Sequence, residues 1–372
     1  LDIQAAVLRS VNGPFVLETV NLDTPGPDEI LVELVATGIC HTDLAVRDGT
    51  LPFPPLPAVL GHEGAGRVAA LGAAVREFAI GDPVVLSFAH CDTCPSCGNG
   101  APAHCATFLP LNFMGARADG SCALHAPDGG AIHGHFFGQS SFATHAVVKA
   151  SDAVKVGEDI PLEWLGPLGC GIQTGAGTIL NTLKPRPDQS VAIFGVGAVG
   201  LSAVMAARLL GCAPIIAIDI RPDRLALALG LGADHAIDPA AIDAVSAIQA
   251  LTGGLGAEAT VEASGRPQVV AQAIRATRRG GEVALVGLGR LDAPLPLVLG
   301  DLLGGAVIRA VVEGDSVPAS FIPALIERHR QGRFPFERLL SFYPFEAIDQ
   351  AIHDAETGKA IKPVLRMPVA RL

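Results

Sequence analysis

Val191-Ala192-Ile193-Phe194-Gly195-Val196-Gly197-Ala198-Val199-Gly200 is the stretch whose reading decides the fold. Its first four residues are apolar and uncharged, as a parallel strand buried on both faces requires. The glycines at 195, 197 and 200 match Gly-x-Gly-x-x-Gly, and the apolar segment that follows, to about Leu210, reads as the helix they open. The next strand, Ile215-Ile216-Ala217-Ile218, ends in Asp219, 19 residues beyond Gly200. Strand, fingerprint, helix, strand and acid in that order predict a dinucleotide site. Gly195 allows the tight turn, Gly197 lets backbone approach a pyrophosphate, and Gly200 lets helix pack on strand. Unpaired N–H groups at the helix N-terminus attract the phosphates. Asp219 can accept from both hydroxyls of an adenosine ribose and would repel a 2′-phosphate, so NAD is expected rather than NADP. The uncharged run from Val191 to Ala207 approaches the length of a membrane span, but its clustered glycines and Arg208 fit strand, turn and buried helix better.

Downstream, strands are expected at Glu258 to Glu262, Glu282 to Val286 and Ala306 to Val312, alternating with helical segments. That alternation predicts a parallel, doubly wound sheet. Upstream the pattern differs. Short apolar runs such as Ile30 to Val35, Gly66 to Ala70 and Pro83 to Leu86, punctuated by Gly and Pro, predict a β-rich unit of Greek-key or barrel type. The change falls near Gly171, and after about Val312 the chain is expected to return to the first unit. The fold class is therefore α/β with two domains, one of 1–171 and 313–372, the other of 172–312.

A formal net charge of −11 and the lack of any basic run argue against a nucleic-acid partner. Leu1-Asp2-Ile3-Gln4 shows no basic start leading into an apolar run, so no secretory signal is expected. Four of the eight cysteines crowd into Cys91-x2-Cys94-x2-Cys97-x7-Cys105, which in a chain of this size reads as metal binding in a reducing, cytoplasmic setting. Four thiolates close a tetrahedral zinc shell with no open position, a structural site. An iron–sulfur cluster also takes four cysteines, and the neighbouring dinucleotide fold favours zinc. A second set is dispersed: Cys40 in Gly-Ile-Cys-His-Thr-Asp at 38–43, His62 in Gly-His-Glu at 61–63, and Cys170 before Gly171. Two thiolates and one imidazole leave the fourth position that a catalytic zinc requires. Spacing alone does not bring these three together. Each is also compatible with an ordinary buried residue.

At these residues the chain resembles the zinc-dependent medium-chain alcohol dehydrogenases, almost end to end. The resemblance implies a GroES-like catalytic domain beside a Rossmann domain, with two zincs per chain and NAD. It implies that Cys40, His62 and Cys170 bind the catalytic zinc, and that Cys91, Cys94, Cys97 and Cys105 bind the structural one. Asp43 should hydrogen-bond the second ring nitrogen of His62, and Glu63 should sit behind the metal. Arg224 and Lys362 match positions that contact the adenosine ribose and the pyrophosphate. Thr42 should take the proton of an alcohol while hydride passes to the nicotinamide. Better-known members carry a histidine downstream that Leu44-Ala45-Val46-Arg47 lacks, which leaves His41 either to end the proton relay or to contact the pyrophosphate.

Phe136-Phe137-Gly138-Gln139-Ser140-Ser141-Phe142 and Val312-Glu313-Gly314-Asp315 resemble the branch acting on benzyl-type and allylic terpene alcohols. Phe88 and Leu288 are candidate walls of an apolar slot for such primary alcohols and their aldehydes. His133, His135 and His145 are read as surface or structural. A formaldehyde or glutathione-adduct dehydrogenase is the nearest rival, although no arginine cluster offers itself to the adduct's carboxylates. An inactive structural relative would be expected to have lost a catalytic ligand. The resemblance also implies a homodimer or homotetramer and no membrane partner.

Overall fold

The computed structural model describes residues 1–368. Its residues group into two compact units. The first comprises Leu1–Cys170, Val317–Ala324 and Glu337–Leu372; the second comprises Gly171–Ser316 and Leu325–Phe336.

In the second unit a six-stranded sheet runs in the spatial order His235–Ile237, Ile215–Ile218, Val191–Phe194, Ala257–Glu262, Thr277–Leu285 and Val307–Ala310. Every neighbouring pair is parallel. Val191–Phe194 lies fully buried in the middle, which explains its unbroken apolar composition. Phe194 is in register with Ile218 on one side and Glu262 on the other. The strand order reverses there, the point at which open parallel sheets bind ligands beyond their carboxyl ends. The helix Ala198–Leu209 follows directly, so the long apolar run divides into strand and buried helix as expected. No helix among the described residues is long and apolar enough to cross a membrane. The strand His235–Ile237 was not expected, and Thr277–Leu285 begins five residues earlier than the apolar pattern suggests.

The first unit is built on two sheets. One has five strands in the order Ala58–Val59, Asp2–Leu8, Phe15–Leu22, Leu124–His125 and Ala131–Ile132. The other runs Ala153–Lys155, Pro83–Leu86, Gly64–Leu71, Glu29–Gly38, Lys362–Arg366 and Leu340–Pro344, with His145–Lys149 also paired to Glu29–Gly38. Apart from the parallel pair Leu340–Pro344 and Lys362–Arg366, the strands are antiparallel, as the punctuated apolar runs predict. The three runs singled out in the sequence all fall inside strands of the second sheet.

Candidate active site and metal centres

The antiparallel pairing of Glu29–Gly38 with Gly64–Leu71 puts Thr37 opposite Gly64. The chain leaving the first strand, toward Cys40, therefore runs beside the chain entering the second, through His62 and Glu63. Gly38 N donates to Glu63 O at 3.0 Å across this join. Cys170 arrives after the short helix Gly166–Gly169, whose last carbonyl accepts from Ser87 Oγ at 2.7 Å. Ligand atoms of Cys40, His62, Glu63 and Cys170 lie within 4.8 Å of one another. The dispersed set converges.

Asp43 organises the cluster. One oxygen, Oδ2, accepts from Cys40 N at 2.9 Å, capping the helix His41–Arg47. The other, Oδ1, accepts from Gly61 N and lies 3.0 Å from His62 Nδ1. This fixes the ring so that Nε2 faces the sulfurs, and Nε2 is buried with no hydrogen-bond partner. Burial pushes the His62 proton affinity down, but the Asp43 carboxylate and the Cys40 sulfur outweigh it and raise the pKa well above its ordinary value. The Cys40 thiol is held well below the usual range, first by hydrogen bonding with Cys170 and also by Lys362 and His62. A Cys40 sulfur biased toward thiolate, the Cys170 sulfur close by and an unspent imidazole nitrogen make a cation site, and the donor set suits zinc.

Behind it lies a buried ion pair. Lys362 Nζ donates to Glu63 Oε1 at 2.7 Å, to Oε2 at 2.9 Å and to Ile39 O at 3.2 Å. Burial raises the Glu63 pKa although Lys362 opposes it, while Glu63 keeps Lys362 above the ordinary lysine value. Lys362, expected at the pyrophosphate, here bonds Glu63 and the Ile39 carbonyl. The reason is register: Val364 pairs with Gly38, which carries residue 362 to the Ile39 carbonyl.

Cys91, Cys94, Cys97 and Cys105 form the other such group among the described residues. Backbone N–H groups point at the sulfurs: Cys94 N to Cys91 Sγ at 3.3 Å, Cys91 N to Cys105 Sγ and Ala106 N to Cys94 Sγ at 3.4 Å. The N–H groups of Thr93 and Cys94 bring the Cys91 thiol down to about 5, whereas burial and the neighbouring sulfurs push Cys97 up to about 12. Four sulfurs this close cannot all carry charge without a cation between them. All eight cysteines are free of disulfides.

In the second unit Gly195 has φ +84°, and a Cβ on Gly200 would lie 2.0 Å from Gly195 O, so both positions require glycine. Gly197 is the N-cap of Ala198–Leu209 and supplies no side-chain cap. The first-turn N–H groups of that helix are thus not capped by a side chain. Asp219 Oδ2 accepts from Val196 N at 2.8 Å and Oδ1 from Arg221 N at 3.0 Å. Arg224 Nη1 stands 3.9 Å from Asp219 Oδ2. The acid at the end of the second strand thereby braces the glycine turn.

Of the remaining candidates, Thr42 is half-buried with Oγ1 3.8 Å from Cys40 Sγ, while His41 is exposed. Phe88 is buried against Phe108, with ring centroids 5.7 Å apart, and Leu288 is half-buried in the second unit. His135 proves fully interior and His133 and His145 half-buried. Glu313, Gly314 and Asp315 all have φ between +47° and +64°, a left-handed run tied down by Thr182 Oγ1 donating to Asp315 Oδ2 at 2.7 Å. The sequence reading gave no role to Ser87 or Gln139, which bond to the backbone around His62 and Cys170. Gln139 lies in the Phe136–Phe142 stretch that carries the branch resemblance, but that stretch assigns it no contact, and no local motif marks Ser87.

Comparison with known proteins agrees with this geometry. The model of the alcohol dehydrogenase GroES-like domain matches residues 26–159, and that of the zinc-binding dehydrogenase matches residues 198–326. A geraniol dehydrogenase of Castellaniella defragrans is 52% identical over 98% of this chain and 98% of its own length. The crystal structure of a benzyl alcohol dehydrogenase from Acinetobacter calcoaceticus superposes with TM-score 0.95 at 45% identity, covering 99% of this chain and 100% of that one. An alcohol dehydrogenase zinc-binding domain protein from Burkholderia ambifaria gives TM-score 0.96 at 52% identity, with coverage of 99% and 100%. The chain belongs to the zinc-binding alcohol dehydrogenase family.

Proposed function

We propose that this protein oxidises primary aryl or allylic alcohols to aldehydes, reversibly, with hydride passing to NAD. The observation that carries the reading is the convergence of Cys40, His62 and Cys170 around an unspent, buried imidazole nitrogen. The similarity to proteins named for geraniol and benzyl alcohol supports the substrate class. Zinc in that cluster supplies Lewis acidity that lowers the pKa of an alcohol hydroxyl, and NAD supplies the hydride acceptor.

The chain's own residues do the rest. Asp43 holds the His62 tautomer and, by capping the Cys40 helix, the position of the sulfur. Lys362 neutralises Glu63 so that no unpaired carboxylate is buried behind the donors. Thr42, beside Cys40, takes the hydroxyl proton, and exposed His41 is the candidate that hands it to solvent. Gly195, Gly197, Gly200 and the uncapped helix N-terminus hold the pyrophosphate of NAD, with Asp219 and Arg224 at the adenosine ribose. The four-cysteine lobe holds a second, structural zinc.

Self-association into a homodimer or homotetramer fits the edge strand Val307–Ala310, exposed along its length, and the exposed Leu299, Leu302 and Leu303 nearby in sequence. Cysteines joined by no disulfide fit a reducing cytoplasm.

The deciding experiment is NADH formation from ethanol, benzyl alcohol and geraniol at fixed NAD. The larger alcohols should exceed ethanol in kcat/KM by about tenfold or more, about 1.4 kcal/mol of differential transition-state binding. Preference for ethanol would overturn the substrate class and leave the zinc and NAD chemistry standing. No turnover in zinc-loaded protein would point to an inactive relative.

A further inference from the structure

The two metal centres differ in how their donors are spaced. In the four-cysteine lobe a short local loop sets the separations. Cys40, His62 and Cys170 come from three distant segments, yet zinc accepts donor distances only within a few tenths of an ångström. Something must hold those segments at fixed spacing.

Gln139, 1% exposed, spans them. Its Oε1 accepts from Gly64 N at 3.0 Å, and its Nε2 donates to His62 O at 3.1 Å and to Ser87 O at 3.3 Å. Both amide hydrogens and the carbonyl are thus spent on backbone. Ser87 Oγ in turn donates to Gly169 O, the residue before Cys170. A continuous hydrogen-bonded chain runs from the backbone of His62 through Gln139 and Ser87 to the doorstep of Cys170.

The loop that carries Gln139 also grips the imidazole. Phe137 stacks on the His62 ring with centroids 4.4 Å apart and planes at 23°, and Phe136 meets it edge-on at 5.5 Å. Phe137 (φ +51°) and Ser140 (φ +50°) are both left-handed, a conformation that surrounding contacts must impose. Ser140 Oγ imposes it, accepting from Phe136 N at 2.8 Å and donating to Val59 O at 2.6 Å.

We propose that Gln139 is a positioning residue that, through Ser87, sets the separation of His62 from Cys170 and so the closure of the zinc shell. The proposal rests on the reading of Cys40, His62 and Cys170 as zinc donors. The test uses the zinc-loaded full chain with Gln139→Leu and Ser87→Ala, and Cys170→Ser as reference. Zinc release to a chromogenic chelator is followed in time, together with the visible band of cobalt-exchanged protein. Gln139→Leu should release one zinc about 10–100-fold faster, the range typical when a group supporting a ligand is lost, leave the other zinc unchanged and shift the cobalt band. Ser87→Ala should move in the same direction. Wild-type release and an unshifted band in both variants, with the zinc lost from Cys170→Ser, overturn the positioning role and spare the donor reading. Equal acceleration of both zincs in Gln139→Leu marks general loosening and also overturns it. If Cys170→Ser keeps both zincs, the donor reading itself falls and the proposal with it. Should Gln139→Leu fail to fold, Ser87→Ala decides, because it leaves all three Gln139 bonds in place.

Discussion

His135 should make this protein lose stability in mild acid, and the size of the loss follows from its surroundings. The side chain is buried in the first unit, with Nε2 making no hydrogen bond. Burial, and then the Arg117 guanidinium, depress its pKa from 6.5 to about 4, with Glu29 only partly compensating. Arg117 is itself fixed by Glu29, Nε to Oε1 at 2.7 Å and Nη2 to Oε2 at 3.0 Å, so it cannot swing away. The sign is that of a base whose folded pKa lies below its unfolded one. Above the unfolded value neither state binds the proton and pH has no effect. Between about 6.5 and about 4 the unfolded chain takes up a proton that the folded chain refuses, so stability falls as pH falls. At about 1.4 kcal/mol per pH unit the full gap is worth about 3 kcal/mol. About 2 kcal/mol of it is expressed between about pH 7.5 and about pH 5.

The perturbation is His135→Leu, read by urea denaturation at those two pH values. Trp164, the one tryptophan, lies in the same unit as His135 and reports that unit's transition by fluorescence. Carboxylates titrate in both proteins and cancel in the comparison, as does any change in packing. His135→Leu should gain about 2 kcal/mol on the wild type as pH falls from about 7.5 to about 5. A difference that stays flat over that range, or one that moves against the variant, refutes the reasoning.

Asp219→Ala removes the acceptor for Val196 N and Arg221 N together with the negative charge proposed to face the ribose. Steady-state kinetics should show NAD kcat/KM falling roughly 10–100-fold, the worth of about 1.5–3 kcal/mol of charge-assisted hydrogen bonding, while NADP gains relative to NAD; unchanged cofactor preference would remove Asp219 from the site. Cys94→Ser should cost the lobe its metal, so that metal analysis finds one zinc fewer and thermal unfolding comes earlier. Loss of that zinc with no change in melting would show that the lobe is not structural.

The sequence by itself determined what depends on neighbours along the chain. The fingerprint at Gly195, Gly197 and Gly200 is a turn between one strand and one helix, so its residue types and spacing carry its geometry. The same holds for Cys91, Cys94, Cys97 and Cys105, whose short spacing leaves the sulfurs little choice but to meet. Alternation of apolar runs and helical segments was enough to predict a doubly wound sheet, though it missed His235–Ile237, a three-residue strand with two exposed positions that shows no apolar run. Tertiary structure decided everything that depends on register between distant strands. Thr37 opposite Gly64 brings Cys40 to His62, and Val364 opposite Gly38 delivers Lys362 to Glu63, a pairing no sequence pattern shows. Gln139 was visible only as part of the Phe136–Phe142 stretch and Ser87 not at all, because the partners that define their roles are backbone groups, which every residue carries. Sulfur and imidazole announce a metal by their chemistry, whereas a carboxamide that spaces two strands is defined only by where the folded chain puts it.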